Sequence, residues 1–183
     1  APVAPATSQH RVRVGSSQCS KPYEISLMNI SSMSFGSLSA NAVLAMNKGA
    51  ATGEFVHETG EGGLTKYHLE YGADLFWEIG SGYFGCRTPE GRFNPETFAA
   101  KANHENVKGI TIKLSQGAKP GLGGVLPAAK VTEEISAARD VPMGVDCISP
   151  ASHAEFSTPR ELMHFVAKLR ELSGGKPVGI KFC

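Results

Sequence analysis

From Tyr23 onward the chain alternates short apolar runs with amphipathic stretches, and glycine-rich turns separate them. Residues 24–30 read as a buried strand, and residues 54–58 and 74–79 as two more short ones. Ser39 is placed to cap a helix carrying Ala40, Val43, Leu44 and Met46 on one side, with Gly49 near its end. Asn94 followed by Pro95 starts another, with Phe98, Ala99 and Ala102 on one face. Residues 109–115 form a strand. The clearest helix is Pro159–Leu172: Thr158 and Glu161 make a capping box around Pro159, and Gly174 stops it. Its apolar stripe is Leu162, Phe165, Val166, Leu169 and Leu172. Residues 178–183 are the last strand. Strand and helix in turn predict an α/β fold with a parallel sheet. Residues 1–23, with Pro2, Pro5 and Pro22 and little periodicity, read as an arm or linker, and 24–183 as the domain. A final strand of this kind belongs inside a sheet with a helix to follow, so the expectation is a truncated domain.

The strand pattern also sorts side chains by face. Ile110, Ile112 and Leu114 share one face, and Thr111, Lys113 and Ser115 the other. Ile180 and Phe182 oppose Gly179 and Lys181 in the same way. In a (β/α)8 barrel the apolar set meets the helices, and both lysines point inward near the carboxyl ends of the strands, where barrel enzymes work. An inward lysine is costly unless a ligand anion or a neighbouring glutamate meets it.

Composition narrows the function classes. The 183 residues carry 18 lysines and arginines against 17 aspartates and glutamates, a net charge of +1, which argues against general nucleic-acid affinity. No apolar run is long enough to span a membrane, and no signal peptide is visible. Cys19, Cys86, Cys147 and Cys183 are scattered without a CxxC pair, so free thiols in a reducing, cytoplasmic setting are expected. Cys86 is a conceivable nucleophile with no identifiable base. His57, His68, His153 and His164 lack ligand spacing, and only His153 is kept in reserve.

The 21 glycines cluster, as they do where backbone approaches a ligand. Three clusters follow strands: Ser31-Ser32-Met33-Ser34-Phe35-Gly36-Ser37, Thr59-Gly60-Glu61-Gly62-Gly63, and Gln116 to Gly124, which includes Lys119. The last suits a carboxylate or phosphate, because exposed amides and lysine converge there, but it lacks Walker spacing.

Together these segments resemble the FMN-binding domain of glutamate synthases. Residues 31–39 are similar to that family's S-A-M-S-F-G-S-L-S, residues 59–63 to its T-G-E-G-G, and 113–121 to its K-x-A-Q-G-A-K-P-G, with Ser115 in place of alanine. Leu126-Pro127, Lys130-Val131 and Ile148-Ser149-Pro150 continue the likeness, which runs over roughly residues 25–183. The resemblance implies the amino-terminal part, about five βα units, of a (β/α)8 TIM-type barrel. It implies an FMN-dependent oxidoreductase that reductively aminates 2-oxoglutarate to glutamate. Ser31, Ser32, Met33, Ser34, Lys113 and Lys181 would hold the flavin; Lys113 and Glu61 would be catalytic; Glu61, Gln116, Lys119 and, by spacing, Arg139 would hold the 2-oxo acid. An iron–sulfur cluster would lie in the parent protein and not be ligated by this chain. The missing barrel half, or another chain, would be the partner. Leu122 and Val125 depart from the family's glutamate and glutamine, which leaves open another acid or amine. A non-catalytic subunit that completes its barrel with a partner is the remaining alternative.

Overall fold

The computed structural model describes residues 10–116 and 122–182. The chain opens with a hairpin of β1 (Arg11–Val14) and β2 (Tyr23–Ser26), paired antiparallel. There follow α1 (Ala40–Gly53), β3 (His57–Glu58), α2 (Lys66–Leu69), β4 (Leu75–Ile79), α3 (Pro95–Ala102) and β5 (Val107–Lys113). An excursion then carries β6 (Val125–Leu126), α4 (Glu133–Arg139) and β7 (Cys147–Ile148), with β6 and β7 antiparallel. The chain returns through α5 (Pro159–Leu172) to β8 (Val178–Lys181).

The main sheet is parallel, in the order β3-β4-β5-β8, and a bridge from Ile30 to His57 adds a fifth parallel position at its edge. Adjacent strands are thus consecutive apart from the excursion, and helices connect them. That is an α/β architecture compatible with part of a TIM-type barrel.

Caps set the helix starts. The Ser39 hydroxyl accepts from the Ala42 amide. The Asn94 side chain accepts from the amides of Glu96 and Thr97. Thr158 and Glu161 form the expected reciprocal box. α1 runs past Gly49 to Gly53.

The outer face of the sheet is the core. Leu75, Trp77, Ile79, Ile110 and Ile112 pack with Phe98 of α3 and Phe165, Val166 and Leu169 of α5. Trp77 and Phe98 stack at 5.3 Å. Each such side chain, buried whole, contributes about 1.5–3 kcal/mol, so this face anchors the strands and leaves the other face free for polar groups.

Several expectations are corrected. Residues 24–30 do not form a buried parallel strand. The local alternation Arg11-Val12-Arg13-Val14 recruits Tyr23–Ser26 into the hairpin, while Leu27 and Met28 are exposed and only Ile30 reaches the main sheet. The stretch read as an arm therefore contributes β1, and Arg11 ties it to Glu54 at 3.2 Å. Residues 54–58 pair only as His57–Glu58. The excursion, with α4, was not legible from periodicity.

Candidate functional site

Register places the polar face. Glu58 lies opposite Phe76, Glu78 opposite Thr111, Thr111 opposite Gly179, and Lys113 opposite Lys181. Partners in parallel strands project to the same side, so the two lysines share the inner face as the alternation predicts. Each is met by a carboxylate of the protein. Lys113 Nζ lies 2.8 Å from Glu61 Oε1, and Lys181 Nζ lies 2.6 Å from Glu78 Oε2. Glu78 also stands 4.0 Å from Lys113, and so bridges the pair.

Glu61 is brought in by the turn after β3. Gly60 there has φ 73°, and a Cβ on it would stand 2.6 Å from the Ser34 amide, so the two strand-end loops can touch only through glycine. The Glu61 carboxylate accepts from Lys113 and from Gln116 Nε2 at 2.6 Å, and from Ser149 Oγ at 3.4 Å. Lys113 also donates to Gln116 Oε1 at 2.9 Å, which closes a triangle. Burial opposes ionisation of Glu61, but the hydrogen bonds from Lys113 and Gln116 and the charges of Lys113 and Arg139 hold its carboxyl below the usual range. Glu78 is the opposite case: burial, helped by the charge of Glu58, pushes it up despite Lys181.

Arg139 ends α4. It is buried, donates Nη2 to the Phe35 carbonyl at 3.0 Å and points Nη1 at Cys147 Sγ at 3.6 Å. Its guanidinium lies over the Phe84 ring at 5.3 Å, and Nε has no partner. A cavity of about 220 Å³ joins Arg139, Glu61, Gln116 and Ser34, with Val125 and Ser149 also in its wall. A buried guanidinium in the wall of such a space suits an anion.

The other expected residues divide. Ser32 Oγ accepts from Lys181 at 2.6 Å and donates to Glu58 at 3.0 Å. Ser31 and Met33 are exposed beside it. Lys119 lies outside the described residues. Cys86 is fully buried and burial pushes its thiol far up, which removes it as a nucleophile. Glu78 and Glu58 were missed; the signal for the first was a lone charge inside the apolar run Leu75-Phe76-Trp77-Glu78-Ile79. Among the described residues no group of three or more His, Cys, Asp or Glu side chains could hold a metal. No helix among them is long and apolar enough to cross a membrane.

The family described as "Conserved region in glutamate synthase" matches residues 3–183. The chain is 44% identical over 171 residues to the glutamate synthase large subunit-like protein YerD of Bacillus subtilis (strain 168), covering 92% of this chain and 32% of that protein. It is 40% identical over 153 residues to the archaeal glutamate synthase (NADPH) of Methanocaldococcus jannaschii, covering 83% and 28%. Against the archaeal-type glutamate synthase (NADPH) of Thermotoga maritima it is 38% identical over 151 residues, covering 81% and 27%. The chain thus spans about a third of the length of these relatives or less.

Proposed function

The chain belongs to the family of the conserved region in glutamate synthase, and from that premise we propose that the intact protein is an FMN-dependent oxidoreductase that aminates 2-oxoglutarate reductively to glutamate. The observation that carries this reading is the 220 Å³ cavity, which gathers Ser34, Glu61, Gln116 and Arg139 from four separate segments.

The inner face fits a flavin ring by its donor set. Lys113, Lys181 and the Ser32 hydroxyl line one side, and a Cβ on Gly179 would meet nothing closer than 3.9 Å, so the surface beside Lys181 is open. Ser31, Ser32, Met33, Ser34, Lys113 and Lys181 would hold the ring. FMN, once bound and reduced, supplies the hydride for reduction of a carbon–nitrogen double bond. The chain's own residues do the rest. Arg139, with Lys119 and Gln116, binds the carboxylates of the 2-oxo acid. Glu61 holds the Lys113 ammonium in place, and Lys113 holds a proton beside the reacting nitrogen. An iron–sulfur cluster would be ligated elsewhere in the parent. The rest of the barrel would come from the remainder of the protein or from another chain. The share of its relatives that the chain spans supports this, and so does the position of β8 at the edge of the main sheet. The free thiols of Cys19, Cys86 and Cys147 support a cytoplasmic setting.

A second reading is favoured by Val125, which puts an apolar side chain in the cavity wall. There the protein is a flavin oxidoreductase for an acid or amine with an apolar end. Titrating the full-length flavoprotein with 2-oxoglutarate and with a monocarboxylic 2-oxo acid, while following the flavin spectrum, separates the two. Saturable perturbation by the dicarboxylate alone supports the first, by the monocarboxylate the second, and by neither rejects both.

A further inference from the structure

His153 is used by none of the chemistry above, yet it is 7% exposed and both its ring nitrogens are engaged. Nε2 lies 2.7 Å from the main-chain carbonyl oxygen of Lys113. Nδ1 lies 3.1 Å from the Tyr83 hydroxyl. A carbonyl can only accept, so Nε2 carries the proton. Nδ1 of the neutral ring is then an acceptor and must receive the Tyr83 hydroxyl hydrogen. The Tyr83 oxygen in turn accepts from the Glu155 amide at 3.2 Å. Every donor in this row therefore has one direction: Glu155 amide to Tyr83, Tyr83 to His153, His153 to the carbonyl of Lys113.

The far end of the row is packed into the core. Tyr83 is fully buried and held among the rings of Phe93 and Phe165. Its backbone sits at φ 49°, a left-handed conformation that a tyrosine keeps only when its surroundings impose it. The His153 ring is stacked on Phe156 at 4.6 Å, which holds its plane, and the two hydrogen bonds choose its orientation within that plane. At the near end, Lys113 is the last residue of β5, where the strand's own ladder is ending.

We infer that His153 is a positioning residue for Lys113: it fixes the carbonyl at the end of β5 to the aromatic core through Tyr83, and so sets the Lys113–Glu61 pair. This deepens the reading that Lys113 serves the site, and it rests on that reading for its importance to turnover. Burial lowers the His153 pKa, which keeps the ring in the neutral form the row requires. Glu61 and Glu155 oppose that shift, and the hydrogen bond to Lys113 does too.

The test needs no flavin, so its failure is separate from failure of the proposed function. Isotope-edited histidine NMR of the chain at neutral pH, with the His153 ring assigned by its loss in His153→Gln, should show that ring protonated at Nε2 and bare at Nδ1. The same chain should show a protected ammonium signal from Lys113, because Glu61 and Gln116 hold two of its hydrogens. His153→Phe keeps ring volume and the stack on Phe156 but removes the donor. The Lys113 ammonium should then exchange roughly tenfold faster, as for loss of one hydrogen bond's restraint. His153→Gln, whose amide can donate to the same carbonyl, should restore protection. Val43→Ala, a core change on α1 in the packing cluster that does not hold Tyr83, controls for lost stability alone. Unchanged protection in His153→Phe, equal loss in Val43→Ala, or no recovery in His153→Gln overturns the inference. Should His153→Phe not fold, the native tautomer still decides: an Nδ1-protonated or charged ring at neutral pH overturns it, and the Nε2-protonated ring with protection retained in His153→Gln supports it.

Discussion

Lys113 and Lys181 lie directly opposite one another in neighbouring parallel strands, yet they are neutralised by different carboxylates, Lys113 by Glu61 from a loop and Lys181 by Glu78 from the sheet. Adjacent ammonium groups repel, and the alternation of sign across the inner face removes that cost. The arrangement also divides the labour. Glu78 is fixed by its strand, whereas Glu61 sits on a glycine turn beside the cavity.

The Lys113–Glu61 pair is nearly dry, with side-chain exposures of 11% and 13%. Removing one member strands the other, so Lys113→Met should destabilise the chain by about 3 kcal/mol. Adding Glu61→Gln to that variant should recover much of the loss, because no uncompensated charge remains. Chemical denaturation of the two single variants and the double variant measures the coupling. Strict additivity would mean that the pair contributes nothing beyond its separate contacts.

Acid stability should be set early by buried histidines. Burial lowers His57 to about 4, and burial together with the charge of His57 lowers His68 to about 3, from an unfolded value of 6.5. The unfolded chain therefore binds more protons than the folded one between these limits. Stability is complete above about 6.5 and falls as pH drops through the window toward 4 and then 3, at up to about 1.4 kcal/mol per pH unit for each histidine. His153 adds to the same trend. Between about pH 5 and 6.5 ordinary carboxylates remain ionised, so the slope of stability there reports the imidazoles against Glu78, whose raised carboxyl adds the opposite sign but as one group cannot cancel two histidines. A flat profile in that interval would contradict the burial of the His57–His68 pair.

Much of this site could be read in the sequence, for identifiable reasons. Period-two alternation needs only local information, and it placed Lys113 and Lys181 on one face correctly. Ser39, Asn94 and Thr158 announced helices because caps are local as well. What could not be read depends on distant chain segments. The carboxylates that answer the lysines come from 52 and 103 residues away in sequence. The hairpin that takes Tyr23–Ser26 out of the main sheet depends on β1, in a proline-bearing stretch with no obvious period. Arg139 could be singled out only by resemblance, since α4 has seven residues and too few turns to show a stripe.

β8 pairs only with β5 among the described residues, and Phe182 beyond it is 71% exposed. A parallel edge with open donors and an apolar residue at its end is a template for another strand. The chain on its own should therefore associate as its concentration rises, by light scattering or sedimentation. Phe182→Asp should weaken that association without moving the thermal midpoint. A monomer at every concentration would show that this edge is already protected.

The two cations assigned to the 2-oxo acid should respond differently to removal. Arg139 is part of the framework: it holds the Phe35 carbonyl, lies over Phe84 and is 5% exposed. Arg139→Ala should therefore lower both stability and ligand affinity, because the Phe35 carbonyl and the space beneath Phe84 lose their partner together. Lys119 follows the strand end by several residues in sequence, and the proposed function gives it a ligand carboxylate as partner. In the full-length protein Lys119→Ala should leave flavin content and thermal midpoint nearly unchanged. A charge-assisted hydrogen bond is worth about 1.5–3 kcal/mol, so the dissociation constant for 2-oxoglutarate should rise roughly 10- to 150-fold. Flavin-monitored titration beside thermal unfolding of each variant makes the comparison. Unaltered affinity in Lys119→Ala, or flavin lost from that variant alone, would remove Lys119 from the substrate pocket and leave Arg139 as its anion anchor.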